Sequence, residues 1–264
     1  MNVSGKTVFI TGSTDGVGRY VALQLASQGA NLSIHGRDAE RGSAVVDEIK
    51  RSGRGTAKFY PADLASLADV RRLADAVIGD HDKVDIFISN AGIGSRNYGP
   101  ERRVSADGHE LRFAVNYLSG FLLAYRLLPI IKAAAPARIV NVSSLGQAPL
   151  DFDDVMLTRG YDGTRAYAQS KLSQIMFTVD LAEELKGTGV TVNTLHPATY
   201  MNTTMVLAGG RRRCRRWKKA APRSRISPSA TTWKGAAGCS STACTNSAPT
   251  RRRMTPRLAG NCGR

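Results

Sequence analysis

Lys6-Thr7-Val8-Phe9-Ile10-Thr11-Gly12-Ser13-Thr14-Asp15-Gly16-Val17-Gly18 decides how this chain folds. Its first six residues form a short, apolar, β-rich run. The glycines follow at once, and Arg19 to Ser27 continues at helical spacing. Strand, glycine loop, helix is the order a phosphate cradle needs. Glycine lets the backbone approach a pyrophosphate, and a helix N-terminus attracts its charge. The spacing is T-G-x-x-x-G-x-G rather than G-x-G-x-x-G, so the loop carries weight only through its place between a strand and a helix.

The same alternation continues along the chain. Strands are predicted at Asn31 to Ile34, Lys58 to Pro61, Val84 to Ser89, Arg138 to Val142 and Gly189 to Leu195. Helices are predicted at Ala39 to Arg51, Leu67 to Ile78, Leu111 to Ala133 and Arg165 to Leu185. Strands and helices of these lengths, taken in turn, predict a parallel, doubly wound α/β sheet with helices on both faces. Ligands of such sheets bind at the carboxyl ends of the strands, where Gly12, Arg37, Asp63 and Asn90 all fall. The second strand ends at His35-Gly36-Arg37-Asp38. An acid at that tip would read a ribose 2′-hydroxyl; glycine followed by Arg37 suits a 2′-phosphate, which favours NADP(H) over NAD(H). Asp38 also reads as the N-cap of the following helix. His196 is expected to be a packed, hydrogen-bonded residue rather than a catalyst.

Tyr167-Ala168-Gln169-Ser170-Lys171 carries the chemistry. Residues four apart share a helix face, so the Tyr167 phenol and the Lys171 ammonium point the same way. A free phenol has a pKa of about 10 and is a poor acid at neutral pH. A neighbouring cation favours the phenolate and makes a general acid or base for interconverting a carbonyl and an alcohol. Alone, one Tyr-x-x-x-Lys is a weak signal, and a helix-surface pair would look the same.

Together, these residues resemble the short-chain dehydrogenases/reductases, a single-domain Rossmann family. Thr11-Gly12 with Gly16-Val17-Gly18, Asp63, Asn90-Ala91-Gly92, Asn116, Ser144, Tyr167 and Lys171 match its motifs in type, order and approximate spacing. The resemblance covers residues 1 to about 206 and is nearest the retinol dehydrogenases and related bacterial reductases, because the gap from Ser144 to Tyr167 is long. It implies a three-layer αβα fold and a catalytic set of Asn116, Ser144, Tyr167 and Lys171. Tyr167 would pass the proton, with Lys171 lowering its pKa and holding the nicotinamide ribose. Ser144, in preference to Ser143, would polarise the carbonyl, and Asn116 would anchor a relay water. The cofactor would be held by Gly12, Ser13, Thr14, Asp15, Gly16, Val17, Gly18, Arg37, Asp63, Leu64, Asn90, Ala91, Gly92, Tyr167, Lys171, Pro197 and Thr199. The family's Pro-Gly after the sixth strand is Pro197-Ala198 here, with Thr199 and Thr203 following. The insert Leu145 to Thr164 bears Asp151, Asp153, Asp154 and Asp162, expected as a solvated loop that walls the substrate mouth. The resemblance further implies a small carbonyl or alcohol substrate, and pairing through the Asn116 and Tyr167 helices into a homodimer or homotetramer.

The net charge of +16 is not spread evenly. Residues 1–207 hold 22 Lys and Arg against 21 Asp and Glu; residues 208–264 hold 15 and none. All four cysteines, Cys214, Cys239, Cys244 and Cys262, and both tryptophans lie in the second part, and all seven phenylalanines in the first. The expected organisation is thus a catalytic Rossmann-type domain, 1–207, and a basic, acid-free tail, 208–264. The tail has no periodicity and too few large apolar residues for a core, so its composition predicts disorder. It stands where the family places a seventh strand and a helix. Arg211-Arg212-Arg213, Arg215-Arg216 and Lys218-Lys219 would suit a nucleic-acid arm. The cysteines lack paired spacing, so no metal site is expected. The favoured alternative is a frameshifted reading of a GC-rich gene. Read from each codon's third base with GC-rich synonyms, Cys214 to Ala220 can become Leu-Ser-Thr-Val-Glu-Glu-Gly. Nucleic acid is therefore the disfavoured partner, and an inactive product that keeps nucleotide binding alone is an alternative function. No uninterrupted apolar run reaches 18 residues and no signal-peptide core precedes the first strand, so a cytoplasmic protein without a membrane span is expected.

Overall fold

The computed structural model describes residues 2–198 and Met205. All of them belong to the first of two compact units, Met1–Ile226; the second, Ser227–Arg264, contains none of them. The expected boundary at 207/208, the basic tail and the seventh strand it would replace, Thr199, Thr203 and all four cysteines therefore lie outside the described residues.

Six strands, β1 (Thr7–Ile10), β2 (Asn31–Gly36), β3 (Thr56–Pro61), β4 (Ile86–Ser89), β5 (Ala137–Val142) and β6 (Val190–Leu195), form one sheet in the order β3-β2-β1-β4-β5-β6. Every pairing between them is parallel, with Val8 facing Leu32 on one side and Ile86 on the other. Among the described residues β6 closes the sheet. All carboxyl ends therefore line one edge, and the order reverses between β1 and β4, the point at which sheets of this kind take their ligands in a crevice.

Five helices cover the two faces: α1 (Gly16–Ala26), α2 (Ala39–Ser52), α3 (Leu67–Asp80), α4 (Leu111–Lys132) and α5 (Gly163–Glu184). Alternation along the strands fixes which face each residue serves. Val8 and Ile10 pack with Ala22 and Ala26 of α1 and Val45 and Ile49 of α2. Phe9 points the other way, into Val70 and Leu73 of α3, Leu123 and Leu127 of α4 and Leu181 of α5. Each such buried Val, Leu, Ile or Phe side chain contributes about 1.5–3 kcal/mol against exposure. The expected three-layer αβα Rossmann architecture is what the chain adopts.

The helix ends follow their local chemistry. Asp38 caps α2 by accepting from Arg41 N at 3.0 Å, as its position suggested, and Ser66 caps α3 through Asp69 N at 3.2 Å. Helix α4 needs two corrections to the sequence reading. Its segment Ala114–Leu118 is wound as a π-helix, with Ser119 N bonded to Ala114 O. An 18-residue window within this 22-residue helix reaches a mean hydropathy of 1.4, so by length and composition it meets the test of a membrane span, although no uninterrupted apolar run of that length exists. Of that window 56% is buried inside the fold, facing α3 and the sheet, as in a core helix.

Candidate active site

The glycine turn is built by close approach. Gly12 has φ +62°, and a Cβ there would meet Ala91 Cα at 2.9 Å. A Cβ on Gly18 would overlap Gly12 O outright and lie 2.5 Å from Asn90 Nδ2. The first turn of α1 thus lies directly on the loop, as a pyrophosphate cradle requires. Asn90 locks the arrangement: its Nδ2 donates to Thr11 O at 2.9 Å and Gly12 O at 3.0 Å. Thr11 Oγ1 returns the tie by accepting from Asn90 N and Ala91 N, both at 3.0 Å. The buried Ser13 turns inward, its hydroxyl donating to Ile10 O at 2.8 Å. Asp15 caps α1, accepting from Gly16 N at 2.7 Å. Asn90, Ser13 and Asp15 therefore commit these groups to shaping the cradle, while the turn's backbone borders the crevice.

At the tip of β2, Arg37 is exposed. A hydrogen bond to the Tyr98 phenol, and behind it the charge of Asp63, hold its guanidinium more firmly protonated than usual. Asp63 follows β3 and accepts from Ala65 N at 3.0 Å; Leu64 beside it is buried.

The second cluster stands across the edge, on α4, α5 and the end of β5. The ammonium of Lys171 lies 6.0 Å from the Tyr167 ring centroid, so the two side chains share a helix face as their spacing predicted. Lys171 is 4% exposed and donates to Val142 O and Gln174 Oε1, each at 2.9 Å. Burial disfavours its charged form and lowers its pKa to about 8. Two of its three N–H donors are thus used and one remains. Asn116, 1% exposed in the π segment, donates to Ile93 O at 3.1 Å and Ser170 Oγ at 2.9 Å and accepts from Ile93 N at 2.7 Å. Ser170 Oγ donates onward to Tyr167 O at 2.7 Å. A Cβ on Gly92 would lie 3.2 Å from Asn116 Oδ1 and 3.5 Å from Lys171 Nζ, so both groups border the chain that leaves β4.

The two serines differ in burial and partners. Ser143 is buried, with Oγ donating to Lys171 O at 2.9 Å. Ser144 is half-buried, and a Cβ on Gly146 would sit 3.6 Å from its Oγ and 3.7 Å from Tyr167 Cε1. The Ser144 hydroxyl and the Tyr167 ring therefore face a common space. Pro197 and His196, half-buried, follow β6 at the same edge.

Reading residue types along the chain missed three supports. His35 of β2 contacts the glycine turn from below, with Gly12 N donating to Nδ1 at 3.1 Å. Gln174 holds Lys171, one turn further along α5. Arg112, fully buried in the first turn of α4, donates to Gly94 O, Ser95 O, Asn97 O and the Tyr161 phenol beside Glu110. It ties the segment after β4 to the end of the insert. Three of the insert's four acids, Asp151, Asp154 and Asp162, have partners. Asp154 accepts from Thr158 N and Arg159 N, Asp162 caps α5 through Arg165 N, and Asp151 pairs with Arg165 at 3.1 Å.

Residues 6–211 match the short chain dehydrogenase family model, and the chain belongs to that family. Among curated proteins it is 41% identical to human (Homo sapiens) retinol dehydrogenase 13 over 199 residues, which cover 74% of this chain and 59% of that protein. The chain thus spans about three fifths of that relative's length. Two solved structures are similar: the Pseudomonas aeruginosa RhlG/NADP active-site complex (28% identity, TM-score 0.62, 78% and 77% of the two chains), and a metagenomic short-chain oxidoreductase in complex with NADP (29%, 0.63, 75% and 85%).

Proposed function

We propose that this chain is an oxidoreductase that binds NADP(H) and transfers a hydride between it and a carbonyl/alcohol substrate, with Tyr167 as the general acid and base. The observation that carries the reading is the convergence of Asn116, Ser144, Tyr167 and Lys171 at the carboxyl edge, across from the glycine turn. When bound, the nicotinamide supplies the hydride chemistry. Residues Gly12 to Gly18, with Asp63, Leu64 and Asn90 to Gly92, would hold the dinucleotide, and Pro197 and Thr199 its nicotinamide side. Preference for NADP(H) over NAD(H) rests on the exposed Arg37 after Gly36, with the adjacent Asp38 spent on capping α2, and agrees with the NADP complexes of the two similar structures.

The residues divide the work. Ser144 Oγ and the Tyr167 phenol face one space and offer donors to a carbonyl oxygen as negative charge develops on it. Tyr167 yields its proton to that oxygen, and the ammonium of Lys171 beside the ring favours the phenolate left behind. The remaining N–H of Lys171 is free for a ribose hydroxyl. Asn116 keeps one acceptor lone pair on Oδ1 for a relay water once Ile93 N is served.

A homodimer or homotetramer through α4 and α5 goes with this reading. Tyr117, Phe121, Tyr125 and Phe177 pack in tilted ring pairs along those helices, with Tyr125 and Val179 exposed at their surface. A cytoplasmic site of action also goes with it, because α4 spends its apolar face on α3 and the sheet.

Tyr167→Phe is the test. NADP+ binding by calorimetry should be unchanged, while turnover of a carbonyl substrate panel falls by at least about a hundredfold. Turnover retained by the variant, or no NADP+ binding by the parent protein, would overturn the proposal. Binding without any turnover in the parent would favour the inactive alternative.

A further inference from the structure

His35 sits beneath the glycine turn, and no step above uses it. It is 2% exposed, and both ring nitrogens have backbone partners of fixed role. Gly12 N can only donate, and it lies 3.1 Å from Nδ1. Ala62 O can only accept, and it lies 3.2 Å from Nε2. The proton must therefore be on Nε2, in a neutral ring. The backbone of the same residue adds two bonds to the turn: Ser13 N donates to His35 O and His35 N to Ser13 Oγ, both at 2.9 Å. One residue thus spans from the glycine turn after β1 to the end of β3, next to Asp63.

We propose that His35 is a positioning residue for the cofactor: its neutral imidazole holds the Gly12 amide and so fixes the turn on which the dinucleotide's phosphates rest. The inference builds on the NADP(H) reading above. Its consequence is an acid limb in cofactor affinity that belongs to the free protein. A proton on Nδ1 would face the Gly12 N–H, donor against donor, and release the turn. Burial dominates the ring's titration and lowers its pKa from 6.5 to about 4; the Ala62 hydrogen bond and the charge of Asp63 act upward, and Arg37 downward. The neutral form therefore holds at neutral pH and is lost as pH falls through about 4.

Two substitutions separate this from a packing role. In His35→Asn, an amide oxygen can take the place of Nδ1 and does not titrate. In His35→Leu, the volume remains and the acceptor is gone. NADP+ dissociation constants are measured by calorimetry on the full chain from pH 3.5 to 7, with far-ultraviolet dichroism at each pH to report folding. Titration of the nucleotide's own phosphates is shared by all three proteins and cancels between them. At pH 7, His35→Leu should bind about tenfold more weakly, the value of one lost hydrogen bond, with kcat at saturating cofactor unchanged. His35→Asn should bind like the parent at pH 7 and lack the parent's additional loss near pH 4. A folded Leu variant that binds as the parent does, or an Asn variant that keeps the same acid limb, overturns the inference; should the Leu variant not fold, the Asn profile decides. Failure of the parent to bind NADP+ at pH 7 instead removes the reading beneath it.

Discussion

Gly18→Ala and Gly79→Ala make the same chemical change with opposite expected results. A Cβ on Gly18 overlaps Gly12 O, lies 2.5 Å from Asn90 Nδ2 and 2.9 Å from Gly12 C. Two of these are backbone atoms and the third is the Asn90 amide, held by its bonds to Thr11 O and Gly12 O, so the turn itself must move. Overpacking of this kind costs about 1–3 kcal/mol. Moving Gly12 O also strains its 3.0 Å bond from Asn90, worth about 1 kcal/mol more. The sum is about 2–4 kcal/mol, and for a domain of this size each kcal/mol shifts Tm by about 2–4 °C, so a fall of about 5–15 °C is expected. Cofactor affinity should fall with it, since the displaced atoms are the cradle. Gly79, on the exposed side of α3 near its end, has nothing within 4 Å of a Cβ. Alanine there gains helix propensity and loses unfolded-state freedom, for about 0.5–1 kcal/mol of added stability and unchanged binding. Thermal unfolding by dichroism and NADP+ calorimetry read both variants. Gly18→Ala with parental Tm and affinity would refute the close approach, and an equal loss in both variants would refute its location at the turn.

Lys171 should give stability and turnover opposite slopes in alkali. Its folded pKa, about 8, lies below the 10.5 of an ordinary lysine, so between those values the unfolded chain binds the extra proton and stability rises with pH, by roughly 3 kcal/mol across the window. Turnover should decline over the same rise through about pH 8 as the ammonium is lost; urea midpoints and kcat profiles, with Lys171→Met as the flat reference, check both, and parallel slopes for parent and variant would refute the assignment. Arg112→Met strands the buried Glu110 carboxylate and three backbone carbonyls, and should cost about 3–5 kcal/mol by urea unfolding. Removing Glu110 as well, as Arg112→Met with Glu110→Leu, should cost less than the single change; a single-variant loss below about 1 kcal/mol would show that the guanidinium is not structural.

Most of the frame was legible because it follows from period and punctuation. The run from Lys6 to Gly18, the capping aspartate at 38 and the alternation of apolar periods located every described strand and helix to within about three residues. The hidden features depend on partners far away in sequence. Arg112 looks like a polar interruption near the start of an apolar helix, yet its acceptors lie at Gly94, Ser95, Asn97 and Tyr161. His35 reads only as the start of a strand tip, because nothing local shows that Gly12 and Ala62 will close on its two nitrogens. Asn116 could be named by resemblance alone. That its amide would be spent on Ile93 and Ser170, from within a π segment, follows only from the packed fold.

The supports also divide the site in two. Among the described residues, the bonds that hold the glycine turn, Asn116 and Lys171 come from residues before Pro197. The chain carries no acid after Glu184 and turns strongly basic after residue 207, just beyond the expected nicotinamide-side residues Thr199 and Thr203. A change of reading frame near that point would leave the cofactor cradle and its props unaltered in sequence and replace every residue beyond it. Cofactor affinity therefore reports first on the glycine turn and its supports, with Thr199 adding the nicotinamide side, and turnover on whether the remainder completes the substrate side. An intact-protein mass set beside the encoding DNA distinguishes a genuine basic tail from a shifted frame before either activity is measured, because a third-base frame with no plausible continuation removes the frameshift explanation outright.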